Sequence, residues 1–276
     1  MGAHSINRAL ANTYVSVGDV TMPISRPWPT RLLGVWAHPD DECYLSAGLM
    51  ARVIDVGGVV RIVCATRGEL GTDDIGLMGS ERFARMRREE LTASLGVLGV
   101  DDVHVLGIPD GGCAAVADAP MIGAITDHVA SFRPDAVVTF GPDGITGHDD
   151  HRSVSRWATS AAGETDVELL YATMTRGFVR RHHARHDALG LFDQCPEGRP
   201  HSVQTEAVAL EVSLSQDELV RKRRALAHHG SQTEQLAAAI GEADYLTWWR
   251  NECFRHPTTA DRAGAPAIGE RIGVAR

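Results

Sequence analysis

Residues 35–45 read VWAHPDDECYL, and this stretch decides the fold. An apolar run stops at Ala37, and the next five positions are His38-Pro39-Asp40-Asp41-Glu42. A short apolar run bounded by charge predicts a buried strand over Leu32–Ala37. Pro39 suits the first turn of a helix, and acidic residues there complement the helix dipole, so a helix is predicted over Cys43–Val56. A strand that hands its carboxyl end to a helix is the opening of a βαβ unit.

The alternation continues outward. β-type runs at Val59–Ala65, Val103–Ile108 and Ala136–Phe140 are interleaved with helical patterns at Ser80–Leu98 and Met121–Phe132. Further strands are predicted at Glu168–Thr173 and Ala207–Val212, and a charged helix over Ser215–His229. This is an α/β chain with a mostly parallel sheet covered by helices on both faces. Residues 1–30, with prolines at 23, 27 and 29, read as an extended arm. Residues 31–256 read as one domain, and 257–276, rich in Ala, Gly and Pro, as a loosely held tail.

Composition narrows the function. The 276 residues are 43% hydrophobic and 23% charged, enough for one large domain. A net charge of −9 without a basic stripe argues against a nucleic-acid partner. No apolar run reaches the ~18 residues that span a bilayer, and the first residues lack a signal-peptide core, so a cytoplasmic protein is expected. Cys43, Cys64, Cys113, Cys195 and Cys253 are scattered, without CxxC spacing, and are expected to be reduced. The expected partner is a small molecule, with homo-oligomerisation left open.

No GxGxxG follows the first strand, yet ligands of open α/β sheets still bind beyond the strands' carboxyl ends, where His38 stands. His38 and Asp41, three residues apart, share one side of the helix start. A second cluster, GPDGITGHDDH (141–151), follows the strand Ala136–Phe140 and adds His148 and His151. Alone, the first cluster is explained by an N-cap and its dipole, and the second by a solvated loop. Together, at two strand ends of one sheet, they suggest a divalent-metal site with a position open to water. Zinc is the first choice, and iron(II) suits the same donors.

The succession AHPDDE, TRGELG (66–71), RREEL (87–91), PDG (109–111), GHDDH (147–151) and ALAHHGSQ (225–232) resembles the LmbE/PIG-L family of zinc-dependent N-acetylglucosaminyl deacetylases. The likeness runs from Arg31 to about Gln232. It implies a Rossmann-like sheet, zinc held by His38, Asp41 and His151, and hydrolysis of an N-acetylated amino-sugar substrate. The family's HPDH stands here as His148-Asp149-Asp150-His151, without its proline.

The resemblance also distributes roles. Asp40 is the expected general base, with an N-cap as its plain alternative. His148 is expected to stabilise the oxyanion or protonate the leaving amine, or else merely to position its loop. The inward stripe Ala84, Leu91, Leu95 and Leu98 leaves Arg87 or Arg88 facing inward. The R-x-x-E-L spacing selects Arg87, as a binder of sugar hydroxyls or as an ion pair with Glu90. Asp110 is expected to accept from a hydroxyl, though Pro-Asp-Gly is also ordinary turn chemistry. Thr146 stands where the family often has an aromatic residue at the reacting centre, and His229 matches a histidine near the pocket. The segment 177–203, with His182, His183 and His186, is expected to form a mobile lid.

Three rival readings stay open: an amidase acting on a bulkier N-acyl or thiol-conjugate substrate, a non-catalytic metal-stabilised carbohydrate-binding protein, and a metal phosphoesterase. No GxSxG motif supports a serine hydrolase.

Overall fold

The computed structural model describes residues 14–17, 20–23, 28–72, 79–195 and 198–266. Strands β1 (Tyr14–Val17) and β2 (Val20–Pro23) pair as an antiparallel hairpin, so the expected arm contains a folded ribbon. The main sheet has the order β5 (Asp102–Ile108), β4 (Val59–Thr66), β3 (Arg31–Trp36), β6 (Ala136–Phe140), β7 (Glu168–Thr175), β10 (Asn251–Arg255), β9 (Leu210–Ser213), with β8 (Ser202–Val203) alongside β7. Pairing is parallel from β5 through β7 and on to β8, and antiparallel where β10 meets β7 and β9. The sheet is therefore mixed, not wholly parallel.

Two helical layers cover it. Helices α1 (Asp41–Asp55), α2 (Ser80–Leu98) and α6 (Gln216–His228) pack together on one side. Helices α3 (Asp118–Phe132) and α4 (Asp149–Gly163) pair on the other. Burial on both faces explains why β6 reads as an apolar run interrupted only by Thr139, with all five residues buried. Trp36 and Phe140, at the ends of β3 and β6, meet edge to face with centroids 5.0 Å apart.

The differences from the sequence reading have local causes. Helix α1 starts at Asp41, because the acidic residues join the first turn. Helix α3 starts at Asp118, since Pro120 is tolerated within a first turn. The strand expected over 207–212 begins at Leu210, where pairing with Phe254 fixes its register; Thr205–Ala207 form a 3₁₀ turn instead.

The expected lid contains helix α5 (Arg176–Ala188). Its His186 is buried against Trp248 and Phe192, with centroids 5.3 and 4.9 Å away, so this part of the segment is packed. Two short helices, α7 (Gly230–Ile240) and α8 (Glu242–Trp248), lead into β10. The expected tail is also partly held. Thr258 and Asp261 form a capping box for α9 (Thr259–Ala263), and Ser160 donates to the Pro266 carbonyl at 2.6 Å. Residues 267–276 lie outside the described residues. Among the described residues no helix is long and apolar enough to cross a membrane.

Candidate functional site

The strand order reverses between β3 and β6, which opens a crevice at their carboxyl ends. His38 lies just beyond β3, and the loop from Gly141 to His148 follows β6 and enters α4. The crossover therefore brings His38, Asp41 and His151 together although 113 residues separate the two histidines. His38 Nδ1 faces His151 Nε2 at 3.1 Å, and Asp41 places its carboxylate 3.5 Å from the first and 3.4 Å from the second.

The far nitrogen of each ring fixes its tautomer. His38 Nε2 lies 3.1 Å from Asp110 Oδ1 and 3.2 Å from Asp150 Oδ2, so it carries the proton and donates. His151 Nδ1 donates to the Gly144 carbonyl at 2.9 Å and lies 3.3 Å from Thr146 Oγ1. With both rings neutral, the facing nitrogens present lone pairs beside the Asp41 carboxylate, a point that holds a positive charge, whether a proton on His38 Nδ1 or a metal ion. A tetrahedral zinc with bonds of about 2.0–2.1 Å would hold its ligand atoms roughly 3.4 Å apart; the two ring nitrogens stand 3.1 Å apart, with Asp41 Oδ2 beside one and Oδ1 beside the other. The donor set fits a divalent ion.

The electrostatics agree with that fit. Burial works against charge on His38, yet Asp110, Asp150 and Asp41 together raise its pKa well above the ordinary value. Asp41, which burial alone would raise, is held far below the usual range by His151 and His38. Asp150 is held down at about 2, against burial, by His38 and by the N–H groups of Cys113 and Gly111. Burial lowers His151 to about 4, which keeps its ring neutral and available as a ligand. The cluster stabilises positive charge at one point.

His148 lies beside both histidines, and one of its ring nitrogens falls within 4.8 Å of a ring nitrogen of His38 and of His151. Its Nδ1 accepts from the Asp150 N–H at 3.1 Å as the N-cap of α4, leaving the proton of the neutral ring on Nε2. Asp149 occupies the family's proline position. As the first residue of α4, where either proline or an acid is favourable, it is exposed, so the missing proline disturbs nothing nearby.

Asp40 has φ 131°, a region L-residues rarely adopt. It stands at the N-cap of α1 but makes no side-chain capping bond, which removes the plain N-cap explanation. Two anchors hold this strained peptide. Glu42 Oε2 accepts from the Asp40 N–H at 3.0 Å, and the Arg87 guanidinium donates to the Pro39 carbonyl. Burial pushes Asp40 up to about 6, with the opposing pull of Arg87 weaker than the burial.

Three expected substrate contacts have partners within the protein. Arg87 is 2% exposed; it donates to the Pro39 and Gly68 carbonyls and pairs with Asp40 at 3.5 Å. Glu90 is not its partner but accepts from Ser231. Gly68 permits the approach, since its φ is 65° and a Cβ there would lie 2.6 Å from Arg87 Nη1; this accounts for the first glycine of TRGELG. Asp110 is committed to His38 and to the Leu70 N–H at 3.0 Å rather than free for a hydroxyl. His229 is fully buried and bonds Glu42 Oε1 at 3.0 Å, where Glu42 raises its pKa in spite of burial. It supports Glu42 rather than facing a ligand.

Thr146 does line a cavity of about 210 Å³, together with Asp40, Asp41 and His151. Beside it, Phe140 stacks on His151 at 4.1 Å and 10°. The sequence reading assigned no role to Glu42, Asp150, Phe140 or Trp248. Glu42 and Asp150 lay inside quoted motifs, whereas nothing in the pattern marked the two aromatics.

The family model for PIG-L, GlcNAc-PI de-N-acetylase, matches residues 33–162. A 1D-myo-inositol 2-acetamido-2-deoxy-alpha-D-glucopyranoside deacetylase of Mycobacterium sp. (strain KMS) is 36% identical over 178 residues, 56% of this chain and 58% of the relative. The match thus spans little more than half of that relative's length. A protein of the same description from Actinosynnema mirum is 30% identical over 247 residues, 79% of this chain and 86% of the relative. The solved N,N'-diacetylchitobiose deacetylase from Pyrococcus horikoshii superposes with a TM-score of 0.58 at 21% identity, covering 82% of this chain and 83% of its own. That likeness is one of fold.

Proposed function

Because the chain belongs to the PIG-L family, we propose that it is a metal-dependent hydrolase that removes an N-acetyl group from an N-acetylated amino sugar. The observation that carries this reading is the convergence of His38 Nδ1, Asp41 and His151 Nε2 within 3.5 Å of one another, beside a strained Asp40. A zinc ion held by His38, Asp41 and His151, or iron(II) in its place, would supply Lewis acidity toward an acyl oxygen and lower the pKa of water to roughly 7.

The chain's own residues divide the proton work. Asp40, with its pKa near 6, is ionised at neutral pH and basic enough to take a proton from the attacking water at its carboxylate. The same carboxyl can then return that proton to the leaving nitrogen. His148, with Nδ1 engaged by the Asp150 N–H, presents Nε2–H to the oxyanion that develops on the acyl oxygen. Asp110 and Asp150 orient His38, the Gly144 carbonyl orients His151, and Arg87 and Glu42 fix the Asp40 peptide. Arg87 and Asp110 are thus positioning residues in this mechanism. The expected binding-protein alternative is disfavoured, because strain at Asp40 serves no purpose in a site that only holds a metal.

The test is amine release from N-acetylglucosaminides by the purified chain, stripped with chelator and reloaded with zinc or iron(II). Release should vanish on chelation and return with metal. Asp40→Asn should lower kcat by at least a hundredfold while metal content stays at the wild-type level. Turnover that survives chelation, or near wild-type rates in the variant, would overturn the assignment.

A further inference from the structure

An acetyl methyl group would leave most of the cavity beside Asp41 and His151 unfilled. An apolar cavity of about 150 Å³ already admits benzene, and this one measures about 210 Å³. Its polar edge is Asp40, Asp41, Thr146 and His151, and its walls include Leu45, Phe140, Ile145, Met174, Phe192 and Trp248. A second cavity of about 260 Å³ shares the Tyr44, Leu45, Ile145, Met174, Trp248 and Trp249 wall. Apolar space therefore begins at the reacting edge and extends to the shared wall, beyond which the second cavity turns polar at Arg181, Glu211 and Asn251.

The acyl carbon must sit at that edge to be attacked, and two branches leave it: the acyl chain and the amino sugar. A sugar needs hydrogen-bond partners for its hydroxyls, because a hydroxyl left unpaired in an apolar pocket costs affinity. Glu69 and the His148 ring, on the other flank of His38, are not part of this cavity's wall. We propose, resting on the hydrolase reading above, that the cavity receives the acyl chain, and that the preferred substrates are amino sugars bearing an N-acyl group of about four to eight carbons. The reaction balances as amide hydrolysis. Water oxygen bonds to the acyl carbon, the C–N bond breaks, the amine nitrogen takes a proton, and a carboxylic acid longer than acetate is released.

The experiment compares N-acetyl-, N-butyryl-, N-hexanoyl- and N-octanoylglucosamine, with the octyl glycoside of N-acetylglucosamine as a separate arm, by amine release from the metal-loaded chain. Each methylene buried should raise kcat/KM about three- to fourfold, on the order of a hundredfold from acetyl to hexanoyl. Met174→Trp, which narrows the cavity, should lower the hexanoyl-to-acetyl ratio at least tenfold, and Met174→Ala should move the optimum to a longer chain. A flat or falling series with acetyl still cleaved overturns the acyl assignment and leaves the hydrolase reading intact. A gain confined to the octyl glycoside assigns the cavity to the aglycone and also overturns it. No amine from any member overturns both readings.

Discussion

Arg87→Met separates a positioning arginine from a sugar-binding one, because the two roles move different kinetic constants. Arg87 Nη2 lies 3.5 Å from Asp40 Oδ1, and its charge is the main force holding the Asp40 pKa down against burial. An adjacent arginine lowers an aspartate by about 1–3 units, so its removal should raise Asp40 from about 6 to roughly 8. At pH 7 the ionised fraction of the base then falls from roughly nine-tenths to one-tenth. The acid limb of the kcat/KM profile should shift upward by 1–3 pH units, with about a tenfold loss at pH 7 that is recovered near pH 9. Two buried carbonyls also lose their donor, and opening a buried pair costs about 3–5 kcal/mol, so thermal stability and metal content are measured alongside. A raised KM with an unmoved acid limb would restore the sugar-contact role and refute this reasoning. A uniform loss at every pH would leave Arg87 merely structural.

Two other substitutions read the supports around the site and the fold. Asp110→Asn removes a charged acceptor from His38 Nε2 and should weaken metal affinity about 10–100-fold in a chelator competition, with little change in KM. Unchanged affinity would return Asp110 to the substrate. Far from the site, Glu218 bonds Arg52 at 2.6 Å and caps α6 with Ser215; Arg52 is the main cause of a carboxyl pKa lowered to about 2. A depressed folded pKa stabilises above the unfolded value and loses that stability as pH falls. Glu218→Gln should therefore cost about 1–2 kcal/mol in urea unfolding at pH 7, and the gap to wild type should close between about pH 4.5 and 2. A gap independent of pH would assign the cost to packing.

The parallel half of the sheet was legible because both its faces are buried, and burial on both faces writes a largely apolar run. Ala136–Phe140 and Ser80–Leu98 coincide with the elements observed. Strand β10 was not legible, since its Glu252 is a carboxylate at a core position, 3% exposed. Lys222 Nζ at 2.8 Å and the N–H groups of Gly48 and Leu49 compensate it, and those partners lie 30 or more residues away. The metal-site candidates were legible for a related reason: two charged clusters at strand ends have a meaning fixed by topology. Direction was not. A motif names Arg87, Asp110 and His229 without saying what they face, and each is turned onto the protein itself. For Arg87 the decisive neighbour was a glycine 19 residues earlier, which admits the guanidinium to a backbone carbonyl.

The strain at Asp40 ties these supports into one construction. A non-glycine residue so placed costs about 1–3 kcal/mol and persists only where the surroundings over-determine it. The determinants come from three separate places in the chain. Glu42 takes the Asp40 N–H, Arg87 takes the Pro39 carbonyl, and His229 holds Glu42 from 187 residues away. A relaxed N-cap at the same position would turn its carboxylate back onto the first N–H groups of α1, where it would be satisfied and less able to accept another proton. The strained backbone instead leaves the Asp40 carboxylate uncapped, beside Asp41 and at the rim of the cavity. Burial then raises its basicity, and Arg87 limits the rise. The buried Glu42–His229 pair and the inward arginine, which look like poor choices for a core, are what keep that one carboxylate available.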